Sequence, residues 1–308
     1  MAVAGHPRRR TCHDRPAAGP IRGRGPVGRG TVARERDGPG LPQPAADEGH
    51  RVVNRILRLV RLEIWRQVIG WSGAWWFIVT LVLGQAVAPL LGLFVWRQVP
   101  GAGPQIGSYY LAVIGVALLT ASFENHTFAQ AIYNGGIAAA LLRPQPAVIG
   151  PLGENLAIRL WMFVLGIPLL AVVGFATGVN FTPLAVLAAV PALVLAAVLH
   201  FLFVWSLAMA AFWTERVHAV VAFGTVLVFL LGGSAAPNAL LPDPLRTIAQ
   251  VLPFRSMLGF PAELATGSLS SADAAAGYTV AVLWTVVLAG CAVGAWRLGI
   301  RRYSTVGA

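Results

Sequence analysis

The side chains that could do chemistry in this chain are 23 Lys or Arg, 12 Asp or Glu, 6 His and 2 Cys, and their spacing does not gather them into a site. Beyond residue 50 the only histidines are His126, His200 and His218, with no HExxH and no pair at i, i+4. A helical zinc site needs that spacing, so no metal is expected. Cys12 lies in a polar stretch and Cys291 in an apolar run, too few thiols for a disulfide framework or a Cys-based metal site. No GxSxG nucleophile turn occurs, and Ser234 sits in GGSAAPN, a helix-ending sequence. Glu124, Glu154, Glu215, Asp243, Glu263 and Asp273 fall at the ends of apolar segments or between them. A carboxylate at a membrane midplane would suggest a proton or ion relay, and none is placed there. Every one of the 23 basic residues is Arg. Without Lys there is no P-loop, no Schiff-base lysine and no kinase-type lysine. Any ATP used by this protein is therefore expected on another chain, and no enzymatic activity is expected of this one.

The elements that would carry these residues are apolar. Only 11% of the residues are charged, 56% are hydrophobic, and the mean hydropathy is +0.69. Soluble domains carry about 25% charged residues, so the composition is that of a polytopic membrane protein in contact with lipid. Residues 1–50 stand apart, with nine Arg, nine Gly and seven Pro and no apolar period. Such a segment cannot bury enough surface to fold. It has no apolar run after Arg8, Arg9 and Arg10, so it does not read as a secretory signal. It reads as a disordered tail or an over-extended gene start, with translation from near Val52 or Val53 as the alternative. Its arginines would suit anionic lipid; no nucleic-acid partner is expected.

Residues 52–69 place Val53, Leu57, Val60, Ile64 and Val68 on one helical face and Arg51, Arg55, Arg58, Arg61 and Arg66 on another. That pattern predicts an amphipathic helix in the headgroup plane. Six spans are predicted after it, at 71–96, 106–123, 156–178, 181–213, 217–233 and 274–296. Aromatic residues such as Trp71, Trp96, Tyr109, Tyr110 and Trp296 mark span ends, as interface belts do. Arg159 lies near one end of the third span, where it is expected to snorkel. In the fourth, Pro183 and Pro191 are expected to set off a short entry piece. Residues 234–273 hold five Pro and read as short helices tucked into the outer leaflet or over the bundle. With both termini placed in the cytoplasm, the inner side carries 11 Arg from Arg51 onward against Arg97, Arg246 and Arg255 outside. Arg excess marks the cytoplasmic side, so a cytoplasmic membrane of bacterial type with both termini inside is expected.

Within the spans Gln85 and His200 are the deepest polar residues, each able to face a substrate path or to bond a neighbouring helix. Gly84, Ala88 and Gly92 repeat every fourth residue, and Gly290 and Gly294 form GxxxG, the spacing that lets helix backbones approach. Between spans two and three, residues 127–142 can form a helix along the inner surface, ended by Arg143 and Pro144, with Pro146 and Pro151 opposing a continuous helix into span three. Leu141 and Leu142 are expected to pack on the membrane domain itself.

This order of elements, with GGIAAALLRP in the inner loop, LLPDPLRTIAQVLPFRSMLGFPAELATG in the outer segment and RLGIRRYSTVGA at the end, resembles the permease subunits of type-2 ABC exporters over residues 52–308. The resemblance implies an all-α polytopic membrane fold, with residues 51–308 as the permease domain. It also implies a dimer with an identical or paralogous permease, and two separate ABC ATPase subunits that hold the ATP and Mg²⁺. No cofactor is then expected in this chain. The cargo would be a drug, lipid or glycan moved out of the cytoplasm. The ATPase would act on the 127–142 helix, through Phe128, Ile132 and Tyr133 as anchors and Arg143 as a charge partner. A self-sufficient secondary transporter and an intramembrane lipid-modifying enzyme are the alternatives. The first calls for internal repeats and the second for converging catalytic groups in the spans, and neither is evident.

Overall fold

Apolar helices in lipid must satisfy their backbone polar groups internally. Accordingly, the computed structural model contains helices and turns and no strand among the described residues, which are 45–100, 103, 105–124, 126–142, 145–179 and 181–306. The chain divides into Met1–Asp47 and Glu48–Ala308, and the helices that follow α1 all belong to the second unit. The composition-based reading of the first fifty residues falls largely outside the described residues.

Helix α1 (Ala45–Ser72) contains the predicted amphipathic helix and starts earlier. Its second half leans on α6 (Ile149–Thr177), where Trp161 Nε1 donates to Val68 O at 3.0 Å. Leu57, Leu62, Trp65 and Ile69 remain exposed, an apolar surface suited to the headgroup boundary. A turn at Gly73–Ala74 leads into α2 (Trp75–Arg97). Ile78, Val82, Ala86, Pro89 and Gly92 of α2 are buried on one stripe, while Leu83, Val87, Leu91 and Phe94 face outward.

Of the six predicted spans, four are helices long and apolar enough to cross a membrane: Trp75–Arg97, Ile149–Thr177, Pro183–Phe212 and Ser271–Tyr303. The other two are shorter apolar helices, α3 (Gln105–Thr120) and α8 (Val217–Leu231). At 1.5 Å per residue α3 covers about 24 Å against a hydrocarbon core of about 30 Å. Its C-terminal end, at Thr120, is buried in protein. Most of its residues are buried, against α2, α6, α7 (Pro183–Ala208) and α11 (Gly259–Ala265).

Two proline readings are corrected. Pro183 and Pro191 do not set off an entry piece: Pro183 opens α7 at its first turn and Pro191 lies inside the same unbroken helix. The first turn has no use for the missing N–H, and neighbouring helices re-satisfy the backbone around an internal Pro. Pro151 likewise sits in the first turn of α6, which starts at Ile149 instead of 156.

The segment between α8 and α12 is built of a 3₁₀ turn at Asn238–Leu240, α9 (Asp243–Val251), α10 (Pro253–Met257) and α11. Helices α10 and α11 are buried against α7, α3, α8 and α12 (Ser271–Val306), while α9 is largely exposed. The aromatic residues expected at the interface have a different task here. Tyr109 and Tyr110 are buried. Tyr109 Oη donates to Gly233 O at 2.9 Å, Tyr110 Oη to Ala235 O at 3.4 Å and Trp96 Nε1 to Ala235 O at 2.9 Å. These donors pair the non-helical carbonyls after α8, where Gly233 adopts φ 103°, a conformation that favours glycine.

The small-residue stripes divide. A Cβ at Gly92 would lie 2.5 Å from Tyr110 Cε1, whereas Gly84, Gly290 and Gly294 have nothing within 4 Å of that position. Tyr110 is fully enclosed and cannot yield. Gly92→Leu should therefore lower stability by about 1–3 kcal/mol, the usual cost of overpacking, read as a lower thermal unfolding midpoint in detergent, and Gly70→Leu, with nothing within 4 Å of its Cβ position, should leave that midpoint unchanged.

Candidate functional site

Short helix α3 stops at Thr120 and leaves carbonyl groups without intrahelical partners. Arg159, projecting from α6 and only 7% exposed, supplies the donors. Its Nε bonds Ala121 O at 2.8 Å, and its Nη2 reaches Thr120 O at 3.0 Å, Ser122 Oγ at 2.9 Å and Ala197 O of α7 at 3.1 Å. Asn155, one turn earlier on the same face, donates Nδ2 to Glu124 Oε1 at 2.5 Å and Ser122 Oγ at 3.3 Å. The expected snorkelling of Arg159 is thus corrected. The guanidinium turns inward because the end of α3 needs it more than water does. Asn155 and Arg159, at i and i+4 in an otherwise apolar stretch, were the signal that could have revealed this inward polar face.

Glu124 is 2% exposed. Burial pushes its carboxyl up to about 7, against the downward pull of a backbone hydrogen bond, Arg159 and Asn155. Its Oε2, Asn155 Oδ1 and Thr120 Oγ1 are buried with no protein partner, as is Nδ1 of His200 in α7. Buried acceptors call for donors. Water suits all of these positions, and a proton on Glu124 makes Oε2 a donor in its own right.

From this knot the chain enters α4 (Phe128–Tyr133), whose first amides, Phe128 and Ala129 N–H, donate to Glu124 O. The single helix read over 127–142 is two: α4 and α5 (Gly136–Leu141), broken at Asn134–Gly135, where Gly135 takes φ 72°. Four attachments hold this elbow. Tyr133 Oη donates to Thr214 O at 2.8 Å and accepts from Val217 N–H at the start of α8 at 3.4 Å. Tyr303 Oη, near the end of α12, donates to Gly135 O at 3.3 Å. Phe128 packs against Trp205 of α7 and Trp296 of α12, with ring centroids 5.8 and 6.0 Å apart. Ile132 is buried beside Phe128 in the same cluster.

Phe128 and Ile132 therefore face the core of the helix bundle and not outward, and Tyr133 is half-buried. Arg143 lies outside the described residues. Leu141 and Leu142, expected to pack inward, are 43% and 88% exposed. Ile137 is the only buried residue in α5, whose main packing partner is α4. Gln130, Asn134, Ala138 and Ala139 complete the outward surface. Gln85 and His200 are not brought together, since α2 packs chiefly on α3 and α6 and α7 on α12 and α11. His126 and His218, scattered in sequence, meet with ring centroids 5.2 Å apart. No group of three His, Cys, Asp or Glu suited to a metal forms among the described residues.

Replacing Arg159 by Met should cost about 3 kcal/mol or more, because it strands carbonyls of α3 and α7 and a buried carboxyl. Glu124 binds its proton more tightly in the folded state than the ordinary carboxyl of the unfolded chain. Stability from this group is full below the unfolded value of 4.5 and is lost as pH rises through about 7. Thermal unfolding in detergent across that range should show the midpoint falling with pH, and Glu124→Gln should flatten the slope.

No curated protein and no solved structure matches this chain. Residues 104–307, which run from α3 through α12 and include both the Arg159 knot and the α4–α5 elbow, match the family described as ABC-2 family transporter protein. On that match, the chain belongs to the ABC-2 family of transporter membrane proteins.

Proposed function

We propose that this chain is the membrane-spanning permease subunit of an ATP-driven exporter. In this reading it moves a hydrophobic or amphipathic substrate out of the cytoplasm, with hydrolysis carried by a separate ATPase that holds ATP and Mg²⁺. Membership of the family implies an ABC ATPase partner. The observation that carries the reading is the α4–α5 elbow. It presents exposed residues on one side and is tied on the other to α7, α8 and α12 through Phe128, Tyr133 and Gly135.

A push from an ATPase against Gln130, Ala138 and Leu142 would reach three membrane helices at once. In this reading Phe128, Ile132 and Tyr133 are the inner anchors that transmit force, and Arg143 is a charge partner for the ATPase. The open positions at Gly84, Gly290 and Gly294, with half-buried Ala88 beside the first, supply close-packing surface for a second permease, identical or paralogous. Gln85 and His200 remain the candidate substrate-path residues. The Arg excess supports both termini on the cytoplasmic side of a bacterial-type membrane.

Two experiments test this. In the complex with its cognate ATPase, Gln130→Arg with Leu142→Arg should weaken association by about tenfold or more, leaving the unfolding midpoint unchanged. Tyr133→Phe should keep ATPase affinity but lower transport per ATP hydrolysed. Unaltered association in the first variant would remove the elbow from the interface. For orientation, single cysteines at Ser270 and Ser304, in a chain lacking Cys12 and Cys291, should label oppositely with an impermeant maleimide. Labelling of position 304 from outside would overturn the assignment.

A further inference from the structure

His126 and His218 lie far apart in sequence and on different elements, yet their imidazole rings meet with centroids 5.2 Å apart and planes inclined by 34°. His126 is in the turn between α3 and α4, two residues after Glu124, and His218 is in the first turn of α8. Both residues are exposed. Among the described residues no ring nitrogen of either is hydrogen-bonded or ion-paired. Two imidazolium ions at this distance would repel, so the contact is one between neutral rings, the form that prevails at pH 7 for an ordinary histidine. The neighbouring Glu215 and Arg216 are also exposed and carry opposite charges.

Neutral imidazole nitrogens with no other partner are ligands for borderline divalent metals such as zinc, nickel and copper. With a metal–nitrogen length of about 2.1 Å and a tetrahedral angle, two ligating imidazoles hold their centroids about 5 Å apart. The observed separation of 5.2 Å is of that size. Exposed rings turn about their side-chain torsions at little cost, so their nitrogens can converge on one ion without movement of the backbone. The described residues bring no third His, Cys, Asp or Glu to the pair. Water therefore completes the coordination, and the metal is exchangeable, unlike the four-ligand zinc of a structural centre. Magnesium and calcium prefer oxygen ligands and do not suit the pair.

The position of the pair gives binding a structural consequence. The turn that carries His126 leads from the Arg159 knot into α4, whose first amides donate to Glu124 O. His218 follows Val217, whose N–H donates to Tyr133 Oη. An ion shared by the two rings would add a second tie between the root of the elbow and α8, beside the one that Tyr133 makes.

We propose that His126 and His218 form a two-histidine site for a divalent transition metal of the zinc, nickel and copper class, which clasps the α3–α4 turn to the start of α8. The clasp needs nothing from the transport reading.

The test uses the full chain, purified in detergent without a polyhistidine tag, with Zn²⁺ as the probe and Mg²⁺ as the control. Calorimetry should show saturable Zn²⁺ binding and none of Mg²⁺. His126→Gln and His218→Gln each remove one of the two protein ligands and should each weaken Zn²⁺ binding about tenfold or more. Zn²⁺ should also slow amide hydrogen exchange in the first turns of α4 and α8 of the parent chain, and should not do so in either variant. Both positions are exposed, so the metal-free variants should unfold at the parent's midpoint. Absence of Zn²⁺ binding by the parent overturns the proposal. So does equal affinity in the parent and both variants, which would place the metal on other side chains such as His6, His13, His50 or Cys12. Binding that depends on both histidines but leaves exchange in α4 and α8 unchanged overturns the clasp.

Discussion

A helix that ends inside protein must have its last carbonyls paired by something other than itself, and α3 imposes that requirement on everything around it. Water cannot do it at this depth without cost, and lipid cannot do it at all. Arg159 does it, bonding the chain at Thr120, Ala121 and Ser122 and then Ala197 of α7. One guanidinium thus joins α3, α6 and α7. It has the fork of donors the task requires, which a lysine ammonium on a flexible stem would not reproduce. Asn155 and Glu124 extend the same knot toward α4.

The other end of α3 meets the same constraint with different chemistry. There it is a neighbour, the non-helical backbone after α8, whose carbonyls need partners, and Tyr109, Tyr110 and Trp96 provide them. Aromatic residues bring apolar bodies that tolerate burial and single donors that reach a carbonyl. With side-chain hydrogen bonds near both ends and most of its residues buried, α3 is the central post of the bundle. The short helices α10 and α11 enter the bundle because α3, α7, α8 and α12 cover their backbones.

Against that post, the α4–α5 elbow is held by a few contacts to helices other than α3: a tyrosine to the α7–α8 turn, a tyrosine from α12, and one aromatic cluster. Helix α5 has a single buried residue. Few buried apolar contacts make an element low in local stability. In the proposed reading, an element with that little attachment, joined to three membrane helices, would receive displacement from the ATPase and pass it on. The partly unsatisfied polar knot at its root fits the same description, since water or a proton can enter where the acceptors remain open.

The sequence by itself determined the solvent. Its charge content, the absence of Lys, the distribution of Arg and the length of its apolar runs were enough to place a helical membrane bundle. They also placed an amphipathic leading helix and a broken segment before the last span. They could not determine which way each helix faces. In lipid the outward side of α2 carries Leu83, Val87, Leu91 and Phe94 while the inward side carries Ile78, Val82, Ala86 and Gly92. Both are apolar, so periodicity carries no signal there. The prolines misled for two reasons: Pro183 sits at the first turn of α7, which needs no N–H there, and packed neighbours repair the backbone around Pro191. Tertiary structure alone decided that Arg159 turns inward and that the interface aromatics become backbone donors. It also decided that Phe128 and Ile132 are buried while Leu142 is exposed. Each of these depends on where α3 ends, and that is set by the helices packed around it, which no local stretch of sequence contains.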